Sequence, residues 1–129
     1  MTAALDSWAV MAVLNAEPAA PRVRDAIERG AVMSWINLGE VYYLTTRRRG
    51  EALARRAVDA LQRRVSVELP DTPLVMAAAA IKARSRMSYA DAFCVATARR
   101  HGALVYTGDP EIVALDGDDL EVVDLRTAR

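Results

Sequence analysis

Short apolar, β-prone runs alternate along this chain with segments whose apolar residues recur at helical spacing, and that alternation limits the possible folds more than any other feature. The runs lie at residues 3–5, 31–35, 65–69, 103–106 and 120–123. Between them, helical spacing is carried by Trp8, Met11, Ala12 and Leu14; by Val23, Ala26 and Ile27; by residues 37–44; and by Leu53, Ala57, Val58 and Leu61. An alanine-rich helix is expected over 71–84 and another from Ser88, where Ser88 and Asp91 have capping-box spacing. Ser7 is a candidate N-cap, and Gly30 and Gly102 stop helices. Strands separated by helices pair in parallel through crossovers of one hand, which places helices on both faces of the sheet. The expected class is α/β, with three layers, α/β/α.

A chain of 129 residues, 53% apolar and 26% charged, is expected to form one domain over 1–129 with its own core, which excludes disordered, collagen-like and low-complexity classes. One cysteine, Cys94, leaves no partner for an intrachain disulfide or a C-x-x-C metal motif, so a reducing, cytoplasmic compartment is expected. The longest apolar stretch, at 74–81, is eight residues with four alanines, under half a membrane span. No basic residue precedes the first apolar positions and Asp6 follows them, so neither membrane association nor a leader or lipid anchor is expected.

Seventeen basic and seventeen acidic residues cancel, so net charge points to no class of partner. Their distribution does more. Between residues 47 and 64, seven arginines face only Glu51 and Asp59, a local balance of +5. Between residues 109 and 124 there are seven acids and no base. The arginine run reads equally as a solvated helix face and as a phosphate-contacting patch, with Arg47, Arg48 and Arg49 the candidates for substrate contact.

Ligands of open parallel sheets bind beyond the carboxyl ends of the strands. Asp6 follows the first expected strand, Glu40 lies early in the helix after the second, Asp91 is in the first turn of a helix, and Asp109 follows the strand at 103–106. Taken singly, Asp91 is explained as a capping-box partner, Asp109 as a turn residue and Glu40 as a solvated carboxylate. Asp6 is harder to explain alone, because it sits within an apolar segment where an unpaired carboxylate is costly. Gathered together, four carboxylates repel unless a cation neutralises them, and hard oxygen ligands suit Mg²⁺ or Mn²⁺.

The stretches LDSWAVMAVLNAEP, INLGEVYYL, SYADAFCVATA and GALVYTGDPEI, in this order and separation, resemble the motifs of the PIN-domain nucleases, specifically the VapC-type toxins of bacterial toxin–antitoxin modules. The resemblance implies a PIN-like fold with a central parallel sheet and a Mg²⁺ site, with Mn²⁺ a possible substitute, formed by Asp6, Glu40, Asp91 and Asp109. It implies a metal-dependent endoribonuclease acting on RNA, a cognate small antitoxin and a homodimer. Asp109 is the ligand it assigns least directly, with Glu111 and Asp116 as alternatives, and Asn37 stands where threonine is more usual. Thr107, and Ser7 unless it only caps its helix, are implied to hold carboxylates or a water.

Metal-directed hydrolysis requires no nucleophilic side chain. His101, the only histidine, precedes a helix-ending glycine and reads as a surface group, and Cys94 reads as core. Trp8, Trp35, Tyr42 and Tyr43 read as core or subunit interface. Two alternatives remain: another acid-site α/β phosphoryl-transfer domain, such as a receiver-like or haloacid-dehalogenase-like one, and a non-catalytic PIN-like RNA- or protein-binding module. The dehalogenase pattern is weakened because no second aspartate follows Asp6 by two residues.

Overall fold

The computed structural model describes residues 2–117 and 119–126; Asp118, part of the acidic run, lies outside them. The elements follow the order β1 (Ala3–Leu5), α1 (Ser7–Leu14), α2 (Ala20–Arg29), β2 (Ala31–Ser34), α3 (Trp35–Arg49), α4 (Glu51–Arg64), β3 (Ser66–Glu68), α5 (Thr72–Ala83), α6 (Tyr89–His101), β4 (Leu104–Thr107), α7 (Pro110–Val113) and β5 (Glu121–Asp124). The five strands form one sheet in the order β3-β2-β1-β4-β5, every pairing parallel. The expected three-layer α/β architecture is present.

Alternation along the strands sorts the core into two layers. Ala3, Leu5, Ala31, Met33 and Tyr106 pack with Val10, Val23, Leu38 and Val41 of α1, α2 and α3. Ala4, Val32 and Val105 face the other way, onto Leu74, Ile81, Phe93, Val95 and Ile112 of α5, α6 and α7. Leu5 and Met33 are almost fully buried, and sequestering each contributes about 1.5–3 kcal/mol. No helix among the described residues is long and apolar enough to cross a membrane.

Strand order reverses beside β1, which pairs with β2 on one side and β4 on the other. The crevice beyond β1 and β4 is the ligand position typical of open parallel sheets. α6 leads into β4 and so runs opposite to the strands, which carries its first turn, with Asp91, to the carboxyl edge. Gly102 ends α6 in the left-handed conformation (φ +57°), a geometry that strongly favours glycine.

The expected run at 31–35 is cut one residue short. Ser34 Oγ accepts from the Ile36 amide at 3.1 Å, so the backbone leaves the sheet there and Trp35 opens α3. The helix continues to Arg49, placing Arg47, Arg48 and Arg49 in its last turn, where they complement the negative end of the helix dipole.

Candidate active site

Asp6 is the first residue beyond β1 and is 1% exposed. Its backbone is still extended (φ −92°, ψ 179°), and its Oδ1 accepts from the Ala9 amide at 2.9 Å, so Asp6 caps α1. This corrects the reading of Ser7 as the cap. Ser7 is the first helical residue, and its hydroxyl donates to Glu40 Oε1 on α3 at 2.6 Å.

The second oxygen of Asp6 accepts from the hydroxyl of Thr107, the last residue of β4, which is itself fully buried. Thr107 Oγ1 also accepts from the Asp109 amide at 2.9 Å, and Asp109 caps α7 by accepting from the Glu111 amide at 2.8 Å. One hydroxyl thus connects the first acid to the turn carrying the fourth. Gly108 lies between them, buried, with the Trp8 indole pressed against it; a methyl group there would overlap the six-membered ring. The glycine is required for space.

Ser88 caps α6, its Oγ accepting from the Asp91 amide at 3.1 Å as the capping-box spacing predicts. Burial raises the Asp91 carboxyl to about 7, reinforced by a hydrogen bond and like charge from Asp109 and by the charge of Asp6. Burial likewise raises Asp6 to about 7, against the opposing hydrogen bonds from Thr107 and Ala9, with Asp109 and Glu40 adding repulsion. Beneath them Cys94 is fully buried, its thiol pushed well up by desolvation and then by Asp6, Asp91, Asp109 and Glu40. A single buried point therefore feels all four acids.

Among the described residues, none of these four carboxylates has an ion-pair partner. Nor do three acidic, histidine or cysteine side chains converge closely enough, as placed, to hold one ion. The carboxylates take the donors at hand: Thr107 and Ala9 for Asp6, Ser7 for Glu40, and Glu111 N for Asp109. An all-oxygen donor set with surplus negative charge fits a hard divalent cation in chemistry.

The other candidates are placed elsewhere. Arg47, Arg48 and Arg49 lie seven to nine residues beyond Glu40, about 10–14 Å along the α3 axis, and are not gathered with the acids. The Arg47 guanidinium stacks 5.0 Å over Tyr43, while Arg48 and Arg49 line a cavity of about 370 Å³ between α1, α3 and α4. Asp116 accepts from the Val122 amide at 2.8 Å, and Glu111 is exposed. His101 pairs with Glu68 at 2.9 Å. Tyr43 is 46% exposed rather than core, and the Tyr42 hydroxyl donates to Glu51 at 2.8 Å. Asn37, unassigned by the sequence, is fully buried between α3 and α6.

This fold and site define an acid-cluster α/β protein with its carboxylates at the topological switch point. The chain belongs to the PIN domain family, whose sequence model matches residues 3–118. No curated protein sequence matches it significantly. Among solved structures it is similar to Mycobacterium tuberculosis VapC20, described as a sarcin-ricin loop cleaving toxin, at 25% identity, covering 93% of this chain and 99% of that one, with a TM-score of 0.78. It is also similar to VapBC2 from Rickettsia felis bound to a promoter DNA fragment (11% identity, 96% and 98% covered, TM-score 0.76). A third similar structure is VapBC-1 from nontypeable Haemophilus influenzae (20%, 98% and 100%, TM-score 0.74). The family assignment displaces the receiver-like and dehalogenase-like alternatives.

Proposed function

We propose that this chain is a Mg²⁺-dependent endoribonuclease and the toxin of a toxin–antitoxin pair. The observation that carries this reading is the acid cluster at the switch point, where buried Asp6 is linked through Thr107 to the turn bearing Asp109, Ser7 joins Glu40 to the same junction, and burial raises the Asp6 and Asp91 carboxyls to about 7. Similarity to a toxin described as cleaving the sarcin-ricin loop supports RNA as the substrate class.

Asp6 and Asp91 would hold the cation most directly, with Glu40 and Asp109 completing its surroundings. When bound, Mg²⁺ or Mn²⁺ supplies a water of lowered pKa and stabilises charge on the phosphate oxygens. Thr107 and Ser7 would fix the faces that Asp6 and Glu40 present, and Asp91 would bind as the ionised carboxylate. A strand whose scissile phosphate sits at the acids runs along α3, and Arg47, Arg48 and Arg49 meet phosphates further along it.

For partners, we propose a cognate small antitoxin and a homodimer, supported by the VapBC assemblies among the similar structures. The antitoxin would direct a basic side chain at Asp6, Glu40 or Asp91. The apolar segments at 8–14 and 35–44 are largely consumed by the chain's own core, through Ala9, Val10, Met11, Leu38 and Val41. Metal-dependent cleavage of RNA by the purified chain, silenced by its co-expressed antitoxin, tests this reading; a metal-independent or absent cleavage overturns it.

A further inference from the structure

Asn37 is 0% exposed in the first turns of α3, one helical turn before Glu40. Its Nδ2 donates to the Ala90 carbonyl at 3.0 Å, and Ala90 immediately precedes Asp91 on α6. Its Oδ1 is buried with no hydrogen-bond partner. A buried acceptor without a donor costs stability, and an apolar residue of similar size would remove that cost. The amide is thus poorly explained as a contribution to folding. It is well placed to fix the separation of two helices, each carrying one acid of the cluster.

We infer that Asn37 is a positioning residue: its amide ties the Glu40 helix to the first turn of the Asp91 helix and sets the spacing of those two carboxylates around a divalent cation. The inference rests on the nuclease reading of the acid cluster. Glu40 and Asp91 lie 51 residues apart in the chain, on α3 and α6. A directional bond between the two helices holds the register where the ligands stand. Groups that orient metal ligands in this way change metal affinity about 10- to 100-fold when lost.

The test uses the full chain with Asn37→Leu and Asn37→Ala, read by Mn²⁺ affinity from electron paramagnetic resonance and by the thermal midpoint in EDTA. Asn37→Leu is expected to keep or raise the metal-free midpoint while weakening Mn²⁺ binding at least tenfold, a split that a purely structural role does not produce. If Asn37→Leu fails to fold, Asn37→Ala, which introduces no overlap, is judged by the same loss of affinity. Mn²⁺ binding unchanged in a folded variant overturns the inference and leaves the nuclease reading intact. A wild-type chain that binds no Mn²⁺ overturns both.

Discussion

The Ser7 hydroxyl donates to Glu40 Oε1 across 2.6 Å, joining the β1–α1 junction to α3 over 33 residues of sequence. The bond orients one acid through a residue beside another. Ser7→Ala is expected to lower stability by about 1 kcal/mol. It should raise the Mg²⁺ concentration needed for half-maximal cleavage several-fold, because Glu40 is then free to turn away. A Mg²⁺ titration of RNA cleavage checks this; an unchanged midpoint removes Ser7 from the site.

The raised carboxyls make the metal-free fold sensitive to pH. Asp6 and Asp91 hold protons to about 7, whereas the unfolded chain releases them near 4. Stability from this source is fully present below about pH 4 and is lost as pH rises through about 7. The thermal midpoint in EDTA should therefore fall between pH 5 and pH 8, and Mn²⁺ should narrow the difference by binding the ionised carboxylates. Asp6→Asn should flatten the slope; a midpoint rising with pH in wild type and unchanged by that substitution contradicts the assignment.

Where sequence reasoning succeeded, local chemistry set the outcome. Ser88 and Asp91 form a cap that spacing alone specifies, and Gly102 ends α6 because its left-handed geometry strongly favours glycine. Asp6 and Ser7 are both good caps at adjacent positions, so choosing between them required knowing that the chain stays extended through Asp6. The resemblance implied a carboxylate or a water for Thr107; that its partner is Asp6, 101 residues away, follows from β4 pairing beside β1. Asn37 left a visible signal, a polar residue at helical spacing among apolar ones, but its partner on α6 did not.

Trp8 and Gly108 make a second long-range test. A methyl group at Gly108 must displace the indole or the turn bearing Asp109, at a cost of about 1–3 kcal/mol. Gly108→Ala should lower both the thermal midpoint and cleavage, and adding Trp8→Leu should recover much of the stability. A single variant as stable as wild type shows that the ring yields freely.

Arg47, Arg48 and Arg49 lie about 10–14 Å along α3 from Glu40, a distance suited to phosphates away from the cleaved one. Replacing all three with glutamine should weaken RNA binding and flatten its dependence on salt, leaving Mn²⁺ affinity unchanged. The same affinity and slope as wild type return the cluster to a solvated helix end.

The central claim is that the four acids act together through a divalent cation. It is tested most directly by cleavage of RNA by wild type, Asp6→Asn and Asp91→Asn in Mg²⁺ and in excess EDTA. The account predicts turnover by wild type in Mg²⁺ alone, and losses on the order of 100-fold or more in both variants, with each fold at least as stable as wild type without metal. Full turnover in EDTA, or wild-type rates from Asp6→Asn, would contradict it.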